Sequence, residues 1–159
     1  MKIGLTMVGL KPDDYITVCQ KADVLGYDLL MAADHLAPPL SLPSTYPYSA
    51  TGEPPFTPTT PWLDPIVVLF YMAAATKRIK LATSIYILPL RHPISTARAA
   101  ATLDLLSGGR LLLGAGTGWL REEFEAVDQG FDDRGKRTDE IVEIMKRLWT
   151  ETTVEHRGA

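Results

Sequence analysis

Residues 79–118 read IKLATSIYILPLRHPISTARAAATLDLLSGGRLLLGAGTG, and this stretch decides the fold. Its first nine residues, 79–87, are apolar and β-capable, with only Lys80, Thr83 and Ser84 polar enough to interrupt them. His92-Pro93 then opens a helix, because proline suits the first helical turn. Ala97, Ala100, Ala101, Leu103 and Leu106 recur at helical spacing, and Ser107-Gly108-Gly109 ends the run. Residues 110–114 form the next strand, which breaks into Ala115-Gly116-Thr117-Gly118. Strands that alternate with helices pair in parallel through right-handed crossovers.

The flanks repeat the unit. Residues 2–8 predict a first strand, and Pro12-Asp13-Asp14 a helix start with acids at its positive end. Tyr15, Val18, Cys19, Ala22 and Leu25 give that helix its stripe, and Gly26 stops it. Residues 27–33 predict the second strand, running into Asp34-His35. Asp64-Pro65 predicts another helix start, and 66–75 is apolar nearly all round, which predicts deep packing. After 118, residues 121–127 predict a short helix and 138–150 an amphipathic one, with Ile141, Ile144, Met145 and Leu148 on one stripe. The expectation is a parallel α/β fold of four visible strands in one domain, residues 1–159.

Between the second strand and the next helix lie residues 36–63, with a single charge, Glu53. Nine of the chain's twelve prolines fall between Pro38 and Pro65, which excludes helix and central strand there. Tyr46, Tyr48, Phe56 and Trp62 make the segment too aromatic for a disordered tract. It reads as an ordered lid with short turns.

Composition narrows the function. A net charge of −3 speaks against a nucleic-acid platform. One cysteine, Cys19, excludes an internal disulfide, and His35, His92 and His156 show no metal-ligand spacing. The longest nearly apolar run, 65–75, is too short for a bilayer, and the first residues carry no signal-peptide core. A cytoplasmic protein without membrane or metal is the expectation.

Parallel β/α proteins bind ligands beyond the carboxyl ends of their strands. Those ends carry Gly9, Asp34-His35, Thr83-Ser84 and the 114–118 glycines, and the lid emerges on the same side. His35 is the leading candidate for proton transfer, with Asp34 as a carboxylate neighbour, although adjacent strand residues face opposite ways. A satisfied, half-buried histidine is the competing reading. Thr83-Ser84 inside an apolar strand fits either a bulge with a ligand contact or ordinary strand residues. Gly114, Gly116 and Gly118 miss the dinucleotide spacing by one place, and read as a tight turn or as a close approach to a flat ligand. Glu122, Glu123 and Glu125 read as a solvated helix face.

Together, Ala33-Asp34-His35, the proline-rich insertion, IKLATS at 79–84, His92-Pro93, LDLLSGGR at 103–110 and GAGTGWLREEF at 114–124 resemble the luciferase-like monooxygenase superfamily. FDDRGKRTDE at 131–140, with LWTE at 148–151, is similar to its branch of F420-dependent oxidoreductases. The resemblance implies a TIM (β/α)8 barrel, of which strands one to four are present here. It implies coenzyme F420, with FMN as the alternative, hydride transfer to or from a small organic substrate, and a homodimer. His35 would face the ring system. Ser84-Ile85 falls where F420-using members carry a non-proline cis peptide under the ring, flanked by Thr83, and Gly116 and Thr117 would lie beside the cofactor. Where sugar-phosphate dehydrogenases of the family carry an acid, this chain has Trp119, so Glu122 or Glu123 would have to substitute. A typical barrel of this kind needs about 250 residues, so the resemblance also implies half a barrel, either a fragment or a partner-dependent module. A truncated chain that only dimerises or binds flavin, and a complete flavodoxin-like domain, are the rivals.

Overall fold

A computed structural model describes residues 1–158. In chain order the elements are β1 (Gly4–Thr6), α1 (Asp14–Leu25), β2 (Leu29–Ala32), α2 (Pro65–Ala75), β3 (Lys80–Thr83), β4 (Tyr86–Ile87) and a 3-10 turn (Leu88–Leu90). Then follow α3 (Pro93–Ser107), β5 (Leu111–Leu112), β6 (Ala115–Gly116), α4 (Arg121–Ala126) and α5 (Arg134–Thr150). Strands β1-β2-β3-β5 form one sheet in that order, every pair parallel, and β4 and β6 pair in parallel beyond it.

Register explains where the core lies. Leu5, Leu30, Leu81 and Leu111 are successive partners across the sheet. On that side Leu30 and Leu81 meet Tyr15, Cys19 and Ala22 of α1, Leu69 and Met72 of α2, and Leu103 of α3. The helices pack in sequence, α1 on α2, α2 on α3 and α3 on α5. The opposite side of β2 carries Leu29 and Met31, which stay partly open, and Leu112 of β5 is exposed. A doubly wound domain would cover both faces. One covered face and sequential helix packing are the geometry of part of a barrel.

The helix starts follow the caps read from sequence. Asp64 Oδ1 accepts from the amides of Ile66 at 3.0 Å and Val67 at 3.1 Å, with Pro65 in the first turn of α2. The His92 side chain caps α3, and Gly26 and Gly108 close α1 and α3 in the left-handed region.

Four expectations change. The strand expected over 79–87 is two pieces, divided at Ser84–Ile85, where the peptide bond is cis as the family resemblance implied. The strand expected over 110–114 is confined to β5 at Leu111–Leu112, and β6 at Ala115–Gly116 falls where a turn was expected. The helix expected from 138 starts at Arg134, whose guanidinium donates to the carbonyls of Gly118 and Phe131 and stacks 3.8 Å from the Phe131 ring. Helix α2 is not packed all round: Val67, Phe70 and Tyr71 are exposed, because the helix lies in an outer layer with only one side against the sheet.

Candidate active site

His35 leaves the carboxyl end of β2, and its imidazole is 8% exposed. Nδ1 lies 2.9 Å from Oε2 of Glu123, a residue 1% exposed. The other oxygen, Oε1, accepts from the amides of Leu36 at 2.6 Å and Ala37 at 3.0 Å. Two backbone N–H donors and one imidazole nitrogen thus converge on one buried carboxyl group, which leaves neither of its oxygens without a partner. The adjacent Glu122 accepts from both the amide and the hydroxyl of Ser44, so α4 holds residues 36–63 at two points.

That segment contains turns and no helix or strand. It folds back through the amide of Tyr46, which donates to the Gly52 carbonyl at 2.7 Å. Its rings enclose the imidazole. Phe56 and Trp62 each lie 4.6 Å from His35, centroid to centroid, and Trp119 lies at 6.0 Å. Beside them opens a cavity of about 510 Å³, walled by His35, Val8, Ser84, Ile85, Ile87, Tyr46, Phe56 and Trp119 among others.

Asp34 points away from its neighbour's partner. Oδ2 accepts from the Ile87 amide at 2.9 Å, and Oδ1 from Arg91 Nη2 at 2.7 Å. Arg91 also reaches Asp64, and stacks 4.8 Å from the Tyr86 ring. Burial pushes the Asp34 carboxyl above its ordinary value, opposed by Arg91 and the Ile87 amide. The carboxylate that holds the imidazole is therefore Glu123 and not Asp34, whose two oxygens are committed to the Ile87 amide and Arg91.

The remaining sequence candidates divide. Ser84 and Ile85 line the cavity. Thr83 is buried and donates its hydroxyl to the Gly114 carbonyl at 2.8 Å. A Cβ on Gly116 would come within 2.5 Å of Ile85 Cδ1, so this glycine makes room for the side chain that faces the cavity. Thr117 is exposed and outside the cavity wall. Gly118, at φ +76°, and Trp119 line the wall instead. The glycine run thus serves strand-to-strand closeness first: only Gly118 of the three has a positive φ.

Sequence reasoning placed Glu123 on a solvated face. A signal was present, however. Leu120 and Phe124, both 0% exposed, are four apart, and that spacing puts Glu123 on the inward side of α4. Among the described residues no group of three His, Cys, Asp or Glu side chains is placed to hold a metal, and no helix is long and apolar enough to cross a membrane.

This site coincides with a family pattern over nearly the whole chain: the model for luciferase-like monooxygenases matches residues 4–159. The chain belongs to the luciferase-like monooxygenase family. It is 31% identical over 156 residues to an F420-dependent glucose-6-phosphate dehydrogenase of Intrasporangium calvum, covering 92% of this chain and 41% of that one. It is 30% identical over 148 residues to the oxygenase component of a flavin-dependent trigonelline monooxygenase of Acinetobacter baylyi, covering 92% and 36%. Among solved structures, the monooxygenase RslO1 of Streptomyces bottropensis superposes with a TM-score of 0.78 at 28% identity, over 100% of this chain and 46% of that one. The chain spans half or less of the length of the curated relatives it matches. The parallel α/β architecture agrees with half of the family's TIM barrel.

Proposed function

We propose that this chain forms the strand-one-to-four half of the active site of an oxidoreductase that uses coenzyme F420, with FMN as the alternative, on a small organic substrate. The observation that carries the reading is the juxtaposition of His35 with Ser84–Ile85 across one cavity at the carboxyl ends of the strands. The residues fit a flat ring system. The cavity volume, about 510 Å³, lies within the usual range for cofactor sites, and its wall is mainly apolar. His35 Nε2 has no hydrogen-bond partner among the described residues. When bound, the cofactor supplies the hydride chemistry, and the protein supplies placement and electrostatics.

Ile85, with Val8 and Ile87, would form an apolar floor for a bound ring system, and Ser84 would add a hydroxyl to it. Thr83 and Gly116 shape that floor from behind. His35 holds or moves a proton at Nε2. Asp34 keeps Arg91 and the Ile87 amide in place beneath it. Tyr46, Phe56, Trp62 and Trp119 exclude water from the imidazole, which makes 36–63 a lid. The setting proposed is the cytoplasm, and the assembly a homodimer.

A second reading has its own support. Among the described residues the outer edges of β1 and β5 carry no paired strand, and Leu105 and Leu112 are exposed near the latter. Unpaired edges invite association. On that reading the chain alone is non-catalytic, and dimerises or binds flavin only. Titration with F420 and with FMN, followed by absorbance and fluorescence, separates the readings. Micromolar binding of F420 is the expected result; binding of neither overturns the cofactor reading for this chain. A light-scattering mass of a single chain overturns the dimer.

A further inference from the structure

The geometry points to Glu123 as the positioning residue that fixes His35 in the Nδ1–H tautomer, leaving Nε2 bare toward the cavity. The inference deepens the oxidoreductase reading and rests on it for its functional meaning. An ionised carboxylate only accepts hydrogen bonds, so the 2.9 Å contact to Oε2 requires a proton on Nδ1. Oε1 of Glu123 already accepts two backbone amides, so the group acts here as an acceptor, and the same role at Oε2 calls for a donor on the imidazole. In the neutral ring the lone pair then falls on Nε2, the nitrogen without a protein partner. The same carboxylate grips Leu36 and Ala37, the first residues of the lid. Lid position and the protonated nitrogen of His35 are therefore set by one side chain.

The other two histidines provide a contrast within the molecule. His92 Nδ1 accepts from the Ile94 amide at 3.3 Å, so its neutral ring carries the proton on Nε2. His156 presents Nε2 to Glu140 Oε1 at 2.7 Å, which also places the proton on Nε2. His35 alone is held the other way round.

The test is a long-range proton–nitrogen correlation spectrum of the nitrogen-15-labelled chain, without cofactor, at a pH high enough that all three rings are neutral. The replacements His92→Gln and His156→Gln assign the signals. The expected spectrum shows Nδ1 protonated in His35, and Nε2 protonated in His92 and His156. A neutral His35 carrying its proton on Nε2 overturns the proposal. In Glu123→Gln the carboxamide can donate to Nδ1, and the proton is expected to move to Nε2; retention on Nδ1 in the folded variant also overturns the positioning role. Glu122→Gln, at a side chain whose hydrogen bonds go only to Ser44, is expected to leave the tautomer as it is, and a changed tautomer there counts against Glu123 as the cause. Should Glu123→Gln fail to fold, the wild-type spectrum decides alone. Because the tautomer is read without cofactor, failure of F420 and FMN to bind sinks the oxidoreductase reading without touching this result.

Discussion

Replacing Arg110 by methionine probes how the strand carrying the glycine run is fixed under the site. Arg110 is a buried cation, 8% exposed, whose partners are all neutral oxygens. Nε donates to the Ser107 carbonyl at 2.7 Å, Nη2 to the Ala73 carbonyl at 2.8 Å, and Nη1 to Thr76 Oγ1 at 2.8 Å and the Ile79 carbonyl at 3.2 Å. Ser107 and Ala73 lie in the last turns of α3 and α2, where helix dipoles are negative. One guanidinium thus ties two helix ends to β3. Methionine keeps the apolar stem and removes every donor. A hydrogen bond from a charged donor nets about 1.5–3 kcal/mol, but the four share one group and do not add. Stranding a buried neutral acceptor costs about 1–3 kcal/mol, and several are stranded at once, so the expected loss is about 3–5 kcal/mol. At about 2–4 °C per kcal/mol for a chain of this size, the melting temperature falls by about 6–20 °C. Urea unfolding followed by circular dichroism measures it. Arg110→Lys should recover less than half of the loss, since a compact ammonium cannot span three elements. A methionine variant within about 1 kcal/mol of wild type, below the net value of even one such bond, would refute the reasoning.

Two further perturbations follow from the same region and its underside. A Cβ on Gly114 runs into the backbone carbonyl of Thr83, whereas one on Gly116 meets the movable end of Ile85. Gly114→Ala should therefore destabilise by about 1–3 kcal/mol or more, while Gly116→Ala chiefly displaces Ile85 and weakens cofactor binding. Thermal melts and cofactor titration of the pair check this, and the reverse order of stabilities sinks it. Asp23 accepts from the amides of Lys77, Arg78 and Ile79 between 2.8 and 3.2 Å. Burial alone would raise its carboxyl, but these amides outweigh it and hold the pKa below the ordinary value. A depressed carboxyl stabilises the fold above the ordinary value of about 3.9, and that contribution is lost as pH falls through the native pKa. Asp23→Asn should cost about 1–3 kcal/mol at neutral pH, and the gap should close in acid. A gap independent of pH in unfolding experiments would show that the ionised form is not what matters.

Helix starts were legible wherever the cap is local. Asp64-Pro65 and His92-Pro93 carry their own cap and first-turn residue, and both helices begin there. The lid was legible because proline removes amide donors whatever surrounds it. The break in the third strand was signalled by Thr83-Ser84 and by the family motif, which implied the cis Ser84–Ile85 bond, whereas the short strand at 115–116 was not, since β4 and β6 exist by pairing with each other. Residues 66–75 were misread for the same kind of reason: hydropathy cannot report that one face of a helix finds no neighbour.

The order of β/α units, the end of the sheet that carries His35, and the family motifs from 33 to 151 are all readable along the chain. These depend on spacing along the chain, which local sterics and hydrogen bonding express directly. Only the tertiary structure decided that Glu123, 88 residues from His35, holds its imidazole, and that Asp34 beside it turns to Arg91 instead. Burial converts a carboxylate from a solvated surface group into an acceptor that must find donors, and only the folded chain brings those donors within reach.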